Sequence, residues 1–456
     1  MIVMKFGGTS VESAAAIGRV AGIVRSRLAL KPLVVVSAMG KTTNRLLAAA
    51  DKAAAGNLGD ALRDAEELLA YHRREAAALA PGEKQAEAEA VLERRFEELE
   101  STLERIAAGG RVTPALWDET ASYGERLSSE LIALAFSAFG IPAAHVDARA
   151  VLVTDSRHTQ ALPLYSRTYA RLKEKVAPLL EDRVAVMGGF IGATAEGVTT
   201  TLGRGGSDFS AAIAGAGIGA EEIQIWTDVD GMLTCDPRVL PGGRRVRKIS
   251  FAEAAELAYF GAKVLHPATV QPAIEKNIPV RILNSRRPEV EGTLIVAGTV
   301  ACRNPIKSIA CKRGITVVEI RSLRMLMAHG FLRRIFEVFD RYQTPVDLVT
   351  TSEVCVAVTI DQPRQIGEIE RELARISDVR VLPDQAILCL VGDALRETAG
   401  IGARIFTALR EINVRMISHG ASFNNVSLVV RDEDVVPAVA ALHEEFFREV
   451  DPEVFE

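Results

Sequence analysis

The sequence predicts an α/β protein in which a mostly parallel sheet is followed by smaller α+β modules. Before about residue 295, apolar runs rich in β-branched residues alternate with helical patterns, which is typical of βαβ units. After it, a strand–helix–strand pattern occurs twice, each copy within roughly 45 residues. The copies cover residues 315–320, 330–341 and 354–360, and then residues 386–391, 401–411 and 426–430.

The strand candidates of the first part end in residues suited to ligand-binding loops. Most are followed closely by Gly, Ser, Thr or Asn. In open α/β sheets ligands bind outside the carboxyl ends of the strands, so we expect the site there. The candidates are residues 2–6, 33–37, 144–147, 184–187, 223–227 and 280–283.

Composition excludes several classes of function. The 456 residues suffice for two to four domains at ~100–200 residues each, and the net charge of −5 gives no basic surface for nucleic acid. No apolar stretch reaches the ~20 residues of a membrane span, and the N-terminus lacks the pattern of a secretory leader. The five cysteines are dispersed without a C-x-x-C pair, which is typical of reduced thiols. We therefore predict a cytoplasmic protein with neither a nucleic-acid nor a membrane partner.

Residues 60–110 interrupt the α/β rhythm with helical sequence rich in Ala, Glu and Arg. Apolar residues recur there at spacings of four and three, which makes one stripe on a helix. The stripe could bind a partner or pack on its own domain, and so short a run favours the second. Its members are Leu92, Phe96, Leu99, Leu103 and Ile106.

Several familiar catalytic motifs are absent from the sequence. Gly40-Lys41-Thr42 resembles the end of a P-loop, but the required first glycine would fall at Val35. There is no G-x-G-x-x-G, H-E-x-x-H or G-x-S-x-G. P-loop, nicotinamide, zincin and serine-hydrolase chemistries therefore lack their signatures.

Two glycine-rich turns carry charged or hydroxyl groups at predicted strand ends. Lys5-Phe6-Gly7-Gly8-Thr9-Ser10 is expected to open a helix, where backbone N–H groups and the lysine could hold a phosphate. Leu202-Gly203-Arg204-Gly205-Gly206-Ser207-Asp208 precedes a helical run over residues 209–216, and the planar fork of Arg204 can bind a carboxylate. The ordinary alternatives are that Ser10 and Asp208 cap helices.

Other charged residues fit a site only as part of a set. Residues 226–231 and 236–238 could hold a nucleotide, or could be ordinary Asp-Gly and Asp-Pro turns. Lys263 could bind phosphate and Glu125 a substrate ammonium, or both could be surface charges. Phosphoryl transfer needs electrostatic clamping of the migrating group, and a carboxylate acceptor is already ionised and requires no general base. Lysines, backbone cradles and an arginine meet that demand together.

Taken in order, these motifs resemble the aspartate kinases of the amino-acid kinase superfamily. Residues 5–10 are similar to the family's K-F-G-G-T-S signature, and residues 201–208, 226–231, 236–238 and 260–267 match further motifs in the same order. The resemblance covers essentially the whole chain. It implies an amino-acid-kinase-like three-layer αβα sandwich with a mostly parallel sheet, followed by two ferredoxin-like ACT domains. The implied bounds are 1–296 for the kinase domain, with an aspartate-binding N-lobe and an ATP-binding C-lobe, 313–385 for ACT1, and 300–312 plus 386–456 for ACT2.

The resemblance also implies the reaction and its residues. ATP with Mg²⁺ would phosphorylate L-aspartate, the first step towards lysine, threonine and methionine, with Mg²⁺ held chiefly by phosphates and water. The residues implied to stabilise the transferring phosphoryl group are Lys5, Gly7, Gly8 and Lys263, with Asp208 organising the lysines. Those implied to bind aspartate are Ser37, Thr43, Glu125, Arg204, Gly205 and Ser207. Those implied to bind ATP are Lys5, Gly7, Gly8, Thr227, Asp228, Arg238 and Lys263.

Residues 325–332 and 346–353 are similar to the lysine-inhibited subgroup of that family. This implies L-lysine as an allosteric inhibitor bound at an ACT–ACT interface, and a homodimer through the ACT domains, with a tetramer as an alternative. The residues implied to line the lysine site are Met325, Phe331, Leu332, Asp347, Thr351, Ser352 and Glu353.

Two other functions stay open on the sequence. One is another amino-acid kinase, acting on glutamate, acetylglutamate or a nucleotide, which a coupled assay with a panel of acceptors would distinguish. The other is a non-catalytic amino-acid sensor with an inactive kinase domain. The sensor hypothesis predicts loss of Lys5, Arg204, Asp208 or Lys263, and all four are present.

Overall fold

The first part of the chain alternates strands and helices as the sequence predicts. The computed structural model describes residues 1–79, 82–260, 267–322, 329–361 and 364–456. Up to residue 231 the elements are β1 Ile2–Phe6, α1 Ala14–Arg25, β2 Pro32–Val36, α2 Thr42–Ala54, α3 Leu58–Leu79, α4 Glu83–Gly109, α5 Pro114–Ala138, β3 Ala143–Val146, α6 Tyr165–Lys175, β4 Val184–Gly188, β5 Ile191–Ala193, β6 Thr199–Thr201, α7 Gly206–Ile218 and β7 Glu222–Thr227.

The rest of the chain adds the last strands of the first sheet and a second sheet. The next elements are β8 Lys248–Ser250, α8 Phe251–Tyr259, α9 Gln271–Glu275, β9 Val280–Asn284 and β10 Thr293–Val296. They are followed by β11 Ser308–Arg321, α10 Phe331–Arg341, β12 Val346–Thr351, β13 Cys355–Asp361, α11 Ile366–Leu373, β14 Asp378–Val391, α12 Ile401–Ala408, β15 Met416–His419, β16 Asn425–Arg431 and α13 Val435–Phe447.

The chain divides into two compact units. The first comprises Met1–Gly231 with Leu265–Ala297, and the second comprises Met232–Val264 with Gly298–Glu456. The second unit thus takes in a segment that the sequence analysis assigned to the kinase domain. The predicted bounds of the three domains stay predictions.

The sheet of the first unit positions the candidate site. Its strands run in the order β3-β4-β2-β1-β7-β9-β10, and all pairs are parallel except β9 with β10. All six strands predicted for this region are confirmed within one residue at either end. The chain leaves β1 towards β2 and leaves β7 towards β9, so the strand order reverses between β1 and β7. Ligands bind at such a switch point, outside the carboxyl ends of the strands.

Side chains of β1 alternate between two buried faces, as a strand covered on both sides requires. Ile2, Met4 and Phe6 belong to a hydrophobic core that includes residues of α1 to α5. Val3 points the other way, towards Gly215 of α7, where an added Cβ would lie 3.6 Å from the valine side chain. Helices therefore cover both faces of the sheet, and the predicted three-layer α/β architecture is confirmed.

The apolar stripe on α4 packs inside its own unit. Its five predicted members are at most 2% exposed and belong to the same core as β1. The hypothesis that this stripe binds a partner is therefore wrong, because the face is already covered. Among the described residues, no helix combines the length and apolar character needed to cross a membrane.

The second unit is built on one antiparallel sheet of six strands. Their order is β12-β13-β11-β14-β16-β15. The long strands β11 and β14 join two halves, since residues 308–312 pair with 387–391 and residues 315–321 pair with 378–385. The two predicted strand–helix–strand patterns are confirmed, but the sequence analysis missed β12, β15, α11 and α13. All five cysteines are free thiols.

Candidate active site

Lys5 and Asp208 form an ion pair at the carboxyl end of β1. The Lys5 Nζ lies 2.6 Å from Asp208 Oδ1, and the two side chains are 12% and 17% exposed. The alternative that Asp208 caps α7 is wrong, because the N-cap is Gly205 and makes no side-chain hydrogen bond. From the first turn of the helix, Asp208 instead holds the lysine ammonium at the edge of the cleft.

The turn after β1 differs from the sequence expectation. It does not open α1 directly, since Gly8–Ser10 forms one turn of 3-10 helix and α1 begins at Ala14. The N-cap of α1 is Ser13 rather than Ser10. The hydroxyl of Ser10 is instead hydrogen-bonded to that of Ser285, 2.8 Å away, just after β9. The glycine turn is thereby tied across the ends of neighbouring strands.

Glu125 is a buried carboxylate without a cation partner among the described residues. Its side chain lies on α5 and is 4% exposed. Oε1 accepts a hydrogen bond from the Ala38 N–H at 3.2 Å, whereas Oε2 has no hydrogen-bond partner among the described residues. Burial raises the pKa of Glu125 to about 8, although the hydrogen bond from Ala38 acts in the opposite direction. Since buried charges are normally paired, this oxygen is suited to an ammonium group supplied from outside.

The sequence of α5 explains why Glu125 reaches the sheet. Thr113 caps the helix and Pro114 occupies its first turn, which fixes where it begins. A Cβ on Gly124 would lie 2.7 Å from the Ala38 Cβ, so only glycine lets the helix approach the end of β2 this closely. That approach places the Glu125 carboxylate on the Ala38 N–H.

Short contacts connect Glu125 with the lysine pair. Ser37, beside Ala38, donates its hydroxyl to the Ser207 hydroxyl at 3.1 Å, and Ser207 precedes Asp208. Thr43 lies at the start of α2, with its Oγ1 3.0 Å from the position of an added Cβ on Gly124. The structure thus brings together the predicted aspartate-binding and phosphate-binding residues of the first unit.

Arg204 lies in the loop between β6 and α7. It is exposed, and both flanking glycines, Gly203 and Gly205, have left-handed backbone angles, with φ of 78° and 72°. No ion-pair partner of Arg204 occurs in the part of the chain that the structure describes. Its guanidinium is therefore available for a ligand carboxylate.

The predicted nucleotide-binding residues divide between the two units. Thr227 ends β7, next to β1, and its hydroxyl donates to Asp228 at 3.2 Å. Arg238 lies in the second unit, is 83% exposed, and pairs with Asp236 at 2.6 Å. Lys263 lies outside the described residues. The nucleotide-binding roles of these residues stay predictions.

The predicted regulatory residues lie in the second unit. Phe331 is buried at the start of α10 and Leu332 beside it is exposed. On β12, Asp347 pairs with Lys312 at 2.7 Å and accepts a hydrogen bond from Tyr259 at 3.3 Å. The remaining predicted residues end or follow β12, namely Thr351, Ser352 and Glu353. Met325 lies outside the described residues.

Sequence reasoning missed a second carboxylate on α5. Asp118 is fully buried and accepts hydrogen bonds from His158, Thr159 and Thr201. These donors come from distant parts of the sequence, so no local motif marks them. The one available signal is that Asp118 precedes Glu125 by seven residues, which puts both on one helix face.

Comparison with known proteins identifies the family. The model of the amino acid kinase family matches residues 1–284, and that of an ACT domain matches residues 388–446. The chain is 38% identical over 462 residues to Aspartokinase 3, chloroplastic, of Arabidopsis thaliana, which spans 98% of this chain and 81% of that relative. It is 37% identical over 468 residues to Lysine-sensitive aspartokinase 3 of Escherichia coli, at 98% and 99% coverage. This chain belongs to the aspartokinase family.

Solved aspartokinase structures agree with that assignment. The structure of E. coli aspartokinase III with lysine and aspartate matches with a TM-score of 0.87 at 36% identity, covering 98% of this chain and all of that one. The same enzyme with aspartate and ADP matches with a TM-score of 0.78. The aspartokinase resemblance and the fold predicted from it are therefore confirmed. Aspartokinases are phosphotransferases that act on a carboxyl group of aspartate.

Proposed function

We propose that this chain transfers the γ-phosphoryl group of ATP to the β-carboxylate of L-aspartate, giving ADP and 4-phospho-L-aspartate. The observation that carries the proposal is the run of contacts from Glu125 through Ala38 to the end of β2, and from there through Ser207 to the pair of Asp208 and Lys5. A lysine held by a carboxylate thereby lies close to a carboxylate that has no cation partner in the described part of the chain. This suits a substrate with an ammonium group at one end and a phosphate acceptor at the other.

The three charged groups of aspartate have three matching positions in this proposal. Ionised Glu125 binds the ammonium, and the exposed guanidinium of Arg204 binds the α-carboxylate. The β-carboxylate is then left facing Lys5. The remaining residues proposed to contact aspartate are Ser37, Thr43, Gly205 and Ser207.

Phosphoryl transfer follows from electrostatics alone. The β-carboxylate is ionised at neutral pH and attacks the γ-phosphorus in line, so no group has to remove a proton. Lys5, the N–H groups of Gly7 and Gly8, and Lys263 stabilise the charge of the transferring group, and Asp208 orients Lys5. The nucleotide binds as Mg-ATP to Thr227, Asp228 and Arg238. Mg²⁺ is proposed to be held chiefly by the phosphates and water.

Regulation by L-lysine is supported by the lysine-sensitive relative from E. coli. The effector's ammonium would bind Asp347, whose carboxylate already accepts a hydrogen bond from the ammonium group of Lys312.

The lysine site would lie between ACT domains of two copies of the chain, so we propose a homodimer, with a tetramer as the alternative. Mass photometry with and without lysine distinguishes the dimer from the tetramer.

The reaction would begin the cytoplasmic route to lysine, threonine and methionine.

The proposal is tested by ADP release from Mg-ATP. We expect turnover that requires L-aspartate, that glutamate and acetylglutamate do not support, and that L-lysine suppresses while L-threonine does not. Turnover insensitive to lysine would retain the kinase and overturn the regulatory proposal. Lysine binding without turnover would overturn the kinase and favour an amino-acid sensor.

A further inference from the structure

Asp118 joins three segments at the base of the Arg204 loop. Its carboxylate is 0% exposed. It accepts hydrogen bonds from the His158 Nδ1 at 2.7 Å, from the Thr159 N–H at 3.0 Å and from the Thr201 hydroxyl at 2.5 Å. All of these groups act as donors to it, so the site requires an acceptor that offers no hydrogen of its own.

Two of these contacts control the backbone that carries Arg204. Thr201 is the last residue of β6, three positions before Arg204. Thr159 has φ of +71°, a strained conformation for a β-branched residue, and the hydrogen bond from its N–H to Asp118 helps to hold it. Its carbonyl oxygen would lie 3.2 Å from a Cβ added to Gly203, so the two loops pack backbone to backbone. Displacing Thr159 would therefore displace the residue before Arg204.

The same helix carries the other half of the proposed aspartate site. Asp118 and Glu125 are seven residues apart on α5, two turns on one face, about 10 Å along the axis. Glu125 has a buried oxygen with no hydrogen-bond partner among the described residues, whereas Asp118 has its oxygens occupied by protein donors. One rigid helix thus fixes both the carboxylate proposed for the ammonium and the anchor of the arginine proposed for the α-carboxylate.

A carboxylate–imidazole pair could also act as a general base, but this reaction gives it no proton to remove. The group that accepts the phosphoryl is the already ionised β-carboxylate of the substrate, and Asp118 itself has no access to solvent. The pair of Asp118 and His158 is therefore better suited to holding backbone than to chemistry.

We propose that Asp118 is a positioning residue that sets the distance between the ammonium-binding and α-carboxylate-binding groups, and so selects α-amino dicarboxylates of the size of aspartate. The inference rests on the proposed function, since it acts through Arg204. It concerns only the binding of the amino acid and leaves the nucleotide site unaffected.

The test is the isosteric substitution Asp118→Asn. An amide nitrogen would face a donor and leave at least one hydrogen bond unmade, which loosens the Arg204 loop. We expect KM for aspartate to rise about tenfold, with kcat and KM for ATP changed less than about twofold. Thr201→Val removes one donor without adding a new one, and we expect a smaller rise of the same kind. It also keeps the test valid if Asp118→Asn does not fold.

A double-mutant cycle separates positioning from general destabilisation. If Asp118 acts through Arg204, its substitution should have little further effect on kcat/KM for aspartate in an Arg204→Ala background. The inference would be overturned if the losses of kcat/KM for aspartate were additive in the double variant, or if Asp118→Asn lowered kcat/KM for ATP as much as for aspartate. Asp182→Asn is the control, because Asp182 accepts hydrogen bonds from Arg183 at an exposed site outside the loops that carry Thr159 and Arg204. We expect no change in KM from it.

The proposed function is judged separately on the wild-type chain. If the wild type shows aspartate-dependent turnover but KM for aspartate is unaltered in both Asp118→Asn and Thr201→Val, only the inference is rejected. Absence of aspartate-dependent turnover in the wild type would reject the proposed function.

Discussion

Two lysine–carboxylate pairs of similar length have opposite surroundings in this protein. In the first unit Lys5 and Asp208 are 2.6 Å apart, with side chains 12% and 17% exposed. In the second unit Lys307 and Glu253 are 2.8 Å apart, with side chains 1% and 0% exposed. Ion-pair distance therefore does not distinguish a pair that is proposed to bind a ligand from a pair that stabilises the fold.

The remaining hydrogen-bonding capacity distinguishes them. An ammonium has three donors, and Lys307 donates to Glu253 Oε2 and to the Val300 carbonyl oxygen at 3.0 Å each, with Glu253 Oε1 2.8 Å from its Nζ. Glu253 in addition accepts from the N–H and hydroxyl of Ser250, which closes a capping box on α8. For Lys5, the ion-pair partner in the described part of the chain is Asp208. A pair that is sealed from solvent and held by further protein groups is structural, whereas a partly exposed lysine at the end of a strand is suited to binding phosphate.

The largest expected effect is on Lys5. Lys5→Met removes a charge from the transferring group, and we expect kcat to fall at least about a hundredfold, the usual loss for one preorganised donor. Because the pair is partly exposed, we expect the unfolding temperature to fall only slightly. Steady-state kinetics and calorimetry on the same preparation measure both quantities.

Lys31→Met is the matched control for Lys5→Met. Lys31 forms an exposed pair with Glu181 at 2.6 Å, and we expect neither activity nor stability to change. If Lys5→Met kept near-normal turnover, or unfolded the protein, the contrast between the pair of Lys5 and Asp208 and the pair of Lys307 and Glu253 would not hold.

The second prediction concerns Lys307. Lys307→Met leaves Glu253 buried without its cation, and breaking a buried pair costs about 3–5 kcal/mol. We expect a clear loss of stability of the second unit in calorimetry. Turnover below the unfolding temperature should fall far less than in Lys5→Met.

The double variant Lys307→Met with Glu253→Leu sharpens this prediction. With both charges gone, no unpaired carboxylate remains, so we expect the double variant to be more stable than Lys307→Met alone. A double variant as unstable as the sum of both single variants would show that the pair contributes through packing rather than charge.

The sequence predicted most of the charged residues in the loops at the strand ends, but few of the contacts between segments that are distant in the sequence. Lys5, Arg204 and Asp208 were found because glycine-rich turns mark them within a few residues. The strands of the first sheet were found because both faces are buried and their apolar runs are continuous. Asp118 and the pair of Lys307 and Glu253 were missed, since His158 lies 40 residues from Asp118 and Lys307 lies 54 residues from Glu253, and only folding brings them together.

Edge elements of the second sheet were also missed for a physical reason. β12 and β15 lie at its two edges, and their residues are mostly half-buried or exposed. Such strands carry mixed polar and apolar residues without a clear period, so the hydrophobic pattern does not identify them. The central strands β11 and β14, by contrast, have fully buried runs.

The smallest expected effect concerns Glu125, a buried carboxylate with no cation partner among the described residues, which is proposed to bind the substrate ammonium. Its pKa is raised to about 8 by burial, so at pH 7 most free protein carries a proton there. The substrate ammonium favours the ionised form, so aspartate binding should release this proton. The apparent dissociation constant for aspartate should therefore fall about tenfold per unit as pH rises from about 6 to 7, and level off near pH 8.

Calorimetric titration of aspartate in buffers of different ionisation enthalpy measures this proton directly. Near pH 7 we expect close to one proton released per aspartate bound by the wild type. Glu125→Gln is the control: its amide does not titrate, so binding should be weaker, independent of pH and free of proton release. Wild-type binding without proton release would mean that Glu125 is already ionised in the free protein. Its charge would then be present before the substrate enters, and binding would not depend on pH in this range.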